Sequence, residues 1–283
     1  MTLRLRAYAK VNFSLDVGRL QPDGYHPYTS IAASIGVFDE LFVDFAPPGT
    51  GICVTIDTGI VDSLATRGFQ VVADALESST DVQIRIGKHI PVGGGLAGGS
   101  VNAAGAMIAA SRLLGPPPVP LVELGVKVGT DVPFCVTGGH ARLFGRGELV
   151  EQRPPLPPFG VLLAVPPLAV STPAVYAAFD QDPVPASPVP VPMWLTDLLP
   201  GCSFRNDLAP AAYRAVPALW DWKETLERVV GRPALMTGSG AGHLCFAESP
   251  QDLSPYLPGL RAAGFAVWIT TPVPVGVEVL VAV

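Results

Sequence analysis

Residues 91–105, PVGGGLAGGSVNAAG, hold six glycines. Glycine in bulk costs chain entropy on folding, so a dense run asks for a compensating use. DVQIRIGKHIP before it alternates apolar and polar residues like a strand, and SVNAAGAMIAASRLLG after it is alanine-rich and favours helix. Strand, glycine loop and helix together make an anion site: backbone N–H groups approach a phosphate with no Cβ in the way, and the helix dipole adds positive potential. Ser100 can cap the start of the helix. The lysine-dependent loop GxxxxGK[ST] is absent. GGGLAG matches GxGxxG, a weak signal, and no carboxylate lies between Gly98 and Pro120 to serve a dinucleotide ribose. The bland alternative is a tightly packed flexible loop.

Phosphoryl transfer also needs a place for the acceptor's proton and a counter-charge. Asp131, in GTDVPF, lies between Gly129 and Pro133, so it sits at a chain turn, where it can be a base or a helix N-cap. Lys10, in AYAKVN, follows an alternating strand; it is a partner for that carboxylate or a solvated surface lysine. DGYH brings Tyr25 and His26 together behind Gly24. An aromatic ring can stack on a pyrimidine and an imidazole can bond its edge, though both residues could simply decorate a turn. TGSGAG, residues 237–242, is a further glycine loop, able to close over phosphates or to form a hairpin. GRGE, residues 145–148, reads as structural.

The elements that must position these residues fit an α+β chain. It has 283 residues, 49% hydrophobic and only 15% charged, enough for a substantial core. Its 30 Gly and 31 Pro are dispersed through apolar sequence, which argues against disorder. The net charge of −6 disfavours nucleic acid as a partner. Cys53, Cys135, Cys202 and Cys245 form no CxxC and read as reduced thiols. The N-terminal stretch has no apolar signal region, and the apolar run 159–170 is short and broken by Pro166 and Pro167. The expectation is a cytoplasmic protein acting on a small molecule, with no membrane partner. Strands are expected at the N-terminus, in DELFVDFAP, GICVTIDTG, HARLFGRGELVEQ, GVLLAVPP and FAVWITTPV, and helices in SLATRGFQVVADALESS, LVELGVKVG, STPAVYAAF and 220–230. Proline-rich QRPPLPPFG marks a boundary, giving domains of 1–150 and 151–283.

PVGGGLAGGSVNAAGA resembles the phosphate loop of the GHMP-superfamily kinases, and more narrowly that of the 4-diphosphocytidyl-2-C-methyl-D-erythritol kinase family. AYAKVNFSLDVGRLQPDGYH, LGVKVGTDVPFCVTGGHARLFGRGE and LMTGSGAGHLCFAE match the same family in the same order, so the resemblance covers most of the chain. It implies a two-domain GHMP kinase fold, with a ribosomal-protein-S5-like N-terminal domain and a ferredoxin-like C-terminal domain. It implies ATP with Mg2+ and transfer of the γ-phosphoryl group to the 2-hydroxyl of the methylerythritol unit, in non-mevalonate isoprenoid biosynthesis. Lys10 and Asp131 are then the catalytic pair. Pro91, Val92, Gly93, Gly94, Gly95 and Leu96, followed by Ala97, Gly98, Gly99, Ser100 and Val101, would hold the nucleotide. Asn12, Tyr25, His26 and Tyr176 would bind the cytidine substrate, with Asn12 near the acceptor and Tyr176 replacing the family's usual Phe. Val101 stands where the family has a second serine, Ala97 where it has a glycine, Ser63 where it has an asparagine bordering adenine, and Ala32 where it has an aromatic. No metal ligand set is implied; Ser100 is a candidate. The competing readings are another GHMP kinase acting on mevalonate-type or sugar substrates, a nucleotide-binding sensor without catalysis, and a nicotinamide-dependent oxidoreductase.

Overall fold

The structure, a computed structural model, describes residues 2–59 and 63–280, with Ser63 through its backbone alone. β1 (Leu3–Val17) alternates as its sequence requires. Its odd positions, Leu3 to Phe13, enter the main core. Of its even positions, Arg4 and Arg6 stay partly exposed while Lys10, Asn12 and Ser14 are buried. β2 (Tyr28–Phe45) pairs antiparallel along the length of β1, with register shifts at Tyr8/Ala9 and Asn12/Ser14. Such irregularities bend a strand and re-aim its side chains, and these two bracket Lys10.

β3 (Ile52–Ile56), α1 (Ser63–Ala75) and β4 (Val82–Gly87) follow; β4 pairs antiparallel with β2 and parallel with β3. α2 (Gly98–Leu114) covers the sheet with a buried face of mostly small residues, Val101 through Ala110. The expected Ser100 cap is not formed. The helix starts two residues earlier, with Ala97 at the N-cap in a left-handed conformation (φ 56°) and no side chain capping it. The glycines let the chain enter the helix directly from the loop, and the first-turn N–H groups stay uncapped. An alanine held left-handed costs about 1 kcal/mol that a glycine would not.

α3 (Leu121–Val126) and α4 (Val132–Thr137) lead to β5 (His140–Phe144), which pairs with β2, and β6 (Leu149–Gln152), which pairs with β5. A proline-rich link then reaches a second sheet. β7 (Gly160–Val165) is buried throughout. After α5 (Thr172–Gln181), α6 (Met193–Leu198), α7 (Ala209–Ala215) and α8 (Ala218–Val230) come β8 (Leu235–Met236) and β9 (His243–Ala247). α9 (Leu257–Ala262) precedes β10 (Ala266–Thr270), and the antiparallel order is β10-β7-β9-β8. Leu226, Val230 and Leu260 pack onto this sheet against Leu162, Ala164 and Cys245.

FAVWITTPV splits between the two sheets. β11 (Pro272–Val273) pairs with β2, and β12 (Val277–Leu280) pairs antiparallel with β1. The expected cut between residues 150 and 151 falls inside β6, a strand of the first sheet, and β11 and β12 return to that sheet from the other side of the cut. The four cysteines form no disulfide. No helix among the described residues is long and apolar enough to cross a membrane.

Candidate active site

A cavity of about 1050 Å³ opens where the phosphate-loop candidate, the end of β1, the DGYH turn and α5 converge. The loop is fixed from behind through its carbonyls. Gly93, Gly94 and Leu96 accept from the backbone N–H groups of Ala241 (2.9 Å), Gly242 (3.2 Å) and Lys10 (3.2 Å). At Gly95, φ is 71° and a Cβ would lie 2.3 Å from the carbonyl oxygen of Thr237, so no side chain fits there. No acceptor among the described residues takes the backbone N–H groups of residues 92–100. Carbonyls engaged and amides free is what an anion needs. Residues 91–99 line the cavity; Ser100 does not, and Val101 is fully buried in the core. Residues 237–242 form the hairpin turn between β8 and β9, and Gly238, Ser239 and Gly240 in it line the cavity.

Lys10 and Asp131 meet at 2.8 Å, Nζ to Oδ1. The lysine side chain is 6% exposed and the aspartate side chain 30%, so the ammonium is held in the wall while the carboxylate reaches the cavity. Asp131 occupies the N-cap position of α4, but its side chain makes no capping bond. Tyr28 also donates its O–H toward the same Oδ1, at 3.4 Å. No donor among the described residues reaches Oδ2. Burial, and then the charge of Asp131, push the Tyr28 hydroxyl well above its ordinary pKa. Asn12 is buried: its backbone N–H donates to Thr237 Oγ1 (3.0 Å) and its Nδ2 to Ser30 Oγ (2.6 Å).

The DGYH turn closes the other end. His26 Nδ1 lies 2.9 Å from the carbonyl oxygen of Gly18, and Nε2 lies 3.2 Å from Asp180 Oδ1. The imidazole packs on Tyr176 at 5.1 Å between ring centroids. Burial, followed by Asp131, pushes the Tyr176 hydroxyl up to about 12. Tyr25 is half exposed, with the Arg146 guanidinium 4.3 Å above its ring and Arg146 paired with Asp23. All four candidate substrate residues therefore line one cavity with the Lys10–Asp131 pair. Ala32 is buried in β2 and does not line it; the Ser63 side chain lies outside the described residues.

Sequence reasoning missed Lys88, Asp39 and Tyr28. Lys88 Nζ sits 2.9 Å from where a Cβ of Gly98 would be, beside the start of α2, and pairs with Asp39 Oδ2 at 2.5 Å. The other Asp39 oxygen accepts the N–H groups of His89 (2.7 Å) and Ile90 (2.8 Å). The available signal was a lysine three residues before Pro91, at a strand end.

The family model described as GHMP kinases N terminal domain matches residues 63–139. The 4-diphosphocytidyl-2-C-methyl-D-erythritol kinase of Geobacillus kaustophilus is 34% identical, over 92% of this chain and 93% of its own. That of Heliobacterium modesticaldum is 38% identical, over 87% of each. The chain belongs to the 4-diphosphocytidyl-2-C-methyl-D-erythritol kinase family. A crystal structure of a 4-(cytidine 5'-diphospho)-2C-methyl-D-erythritol kinase superposes on this GHMP kinase with TM-score 0.80 at 33% identity, covering 95% of this chain and 98% of that one. Homoserine kinase from Cytophaga hutchinsonii, at 17% identity and TM-score 0.73, shares the fold. The mixed α/β architecture is thus that of the GHMP kinases, and the chain is a small-molecule kinase of that type.

Proposed function

We propose that this kinase transfers the γ-phosphoryl group of ATP to the 2-hydroxyl of 4-diphosphocytidyl-2-C-methyl-D-erythritol, a step of non-mevalonate isoprenoid synthesis. The observation that carries the reading is the carboxylate of Asp131, tied through Oδ1 to a buried ammonium and open at Oδ2, in the same cavity as a run of uncommitted amides.

The amides of the loop residues that line the cavity, 92–99, suit the triphosphate. Asp131 Oδ2 takes the proton of the 2-hydroxyl as the alcohol oxygen bonds to the γ-phosphorus. The bond from that phosphorus to the β–γ bridging oxygen breaks and ADP leaves. Lys10 holds Asp131 in place, and its charge stabilises the transferring oxygens. Asn12 stands beside the pair, fixed through Thr237 and Ser30. Tyr25, His26 and Tyr176 offer ring faces on which a cytosine can stack. Both His26 nitrogens have partners, in Gly18 and Asp180, so an edge bond to the base requires one of those contacts to give way. No cluster of three or more His, Cys, Asp or Glu suited to a metal occurs among the described residues. Mg2+ would then be carried chiefly by phosphates and water, where it would supply charge neutralisation; Ser100, which does not line the cavity, is not placed to hold it.

The test is ADP release by the purified protein with ATP, Mg2+ and the cytidine diphosphate methylerythritol. Substrate-dependent release, with none from mevalonate or homoserine, is expected. Turnover of either of those at a comparable kcat/KM overturns the assignment.

A further inference from the structure

We propose that Tyr28 is a positioning residue for Asp131, and that the glycine turn 145–148 exists to seat it. The inference rests on Asp131 being the base. Tyr28 opens β2, and its backbone N–H donates to the carbonyl of Gly145 at 2.7 Å. The turn then folds over the ring. At Gly147, φ is 106° and a Cβ would lie 1.9 Å from the Tyr28 hydroxyl oxygen, so the chain has no side chain where that hydroxyl sits. The hydroxyl is aimed instead at Asp131 Oδ1, 3.4 Å away, its one acceptor among the described residues. Tyr28 is partly buried and lines the cavity, and Asp131 is the acceptor that the protein itself offers its hydroxyl.

The consequence is a division of labour within one carboxylate. Lys10 and Tyr28 both address Oδ1, which fixes the plane of the group and leaves Oδ2 for the acceptor's proton. The other groups facing the site are Tyr176 from α5 and Cys135 from α4, whose own ionisation Asp131 opposes, and Glu148 from the turn, which acts in the same sense on Tyr28. Tyr28→Phe leaves every one of these in place and removes the O–H alone.

The experiment is kcat, with KM for ATP, for the parent enzyme, Tyr28→Phe, Gly147→Ala, the Tyr28→Phe/Gly147→Ala pair and Asp131→Asn. Tyr28→Phe is expected to lower kcat about fivefold, with KM for ATP within about twofold. Gly147→Ala, which displaces the hydroxyl, is expected to lower kcat in the same way and to add little once Tyr28 is Phe. An unchanged kcat in Tyr28→Phe, with Asp131→Asn inactive, overturns the role of Tyr28 and spares that of Asp131. Near-normal turnover by Asp131→Asn overturns both.

Discussion

Two lysine–aspartate pairs flank the phosphate loop, and they do different work. Lys88–Asp39 closes at 2.5 Å with a carboxylate that is 0% exposed, and both Asp39 oxygens are occupied, one by the ammonium and one by two backbone amides. Lys10–Asp131 closes at 2.8 Å with a carboxylate 30% exposed, and one oxygen faces the cavity without a donor. The ion pair is common to both, so it cannot be what distinguishes them. The uncommitted oxygen is. A saturated carboxylate braces the strand end that enters the loop; an unsaturated one can accept a proton.

Asparagine at the two positions tests that contrast most severely. Asp131→Asn removes the proton acceptor and is expected to lower kcat about 10³-fold, with ATP affinity by calorimetry little changed. Asp39→Asn keeps a carbonyl for the amides but strands Lys88. It is expected to lower stability by about 3 kcal/mol, read as a lower urea midpoint, with kcat of the folded protein falling far less. Loss of turnover in Asp39→Asn at unchanged stability breaks the distinction.

The smallest expected effect concerns a second brace. His243 is buried between the Tyr213 hydroxyl, which donates to its Nε2 at 3.0 Å, and the Ala241 carbonyl, which accepts from its Nδ1 at 3.0 Å. Ala241 in turn donates to Gly93 of the phosphate loop. Burial pulls the His243 imidazole down to about 4. The unfolded chain takes up a proton below about 6.5, which the folded chain refuses until about pH 4, so stability falls across that window as pH drops. The loss reaches about 2 kcal/mol by pH 5, and His140, also pulled down by burial, adds in the same direction. Denaturation midpoints at pH 7 and 5 should converge in His243→Gln. An undiminished difference would remove His243 as the cause.

Local signals carried the reading as far as local signals go. The alternation of β1, the glycine loop between strand and helix, and the turn flanking Asp131 are all short-range patterns, and each element formed where its pattern lies. Asp39, inside FDELF, looks like any acid on a strand because its amide partners stand 50 and 51 residues further along. Tyr28 reads as the tail of a turn motif; that it begins β2 and points at Asp131 depends on pairing across the sheet. Residues 277–280 carry no turn signal to mark them, and their strand exists because β1 offers an edge. The Ser100 cap did not form because the helix already begins at Gly98, with Ala97 rather than Ser100 at the N-cap.

The carbonyls of Gly93 and Gly94 find their donors in Ala241 and Gly242. About half of the polypeptide must therefore be synthesised after the loop before the loop has this backing. A chain stalled on the ribosome short of residue 241 holds the loop sequence without either of these two donors.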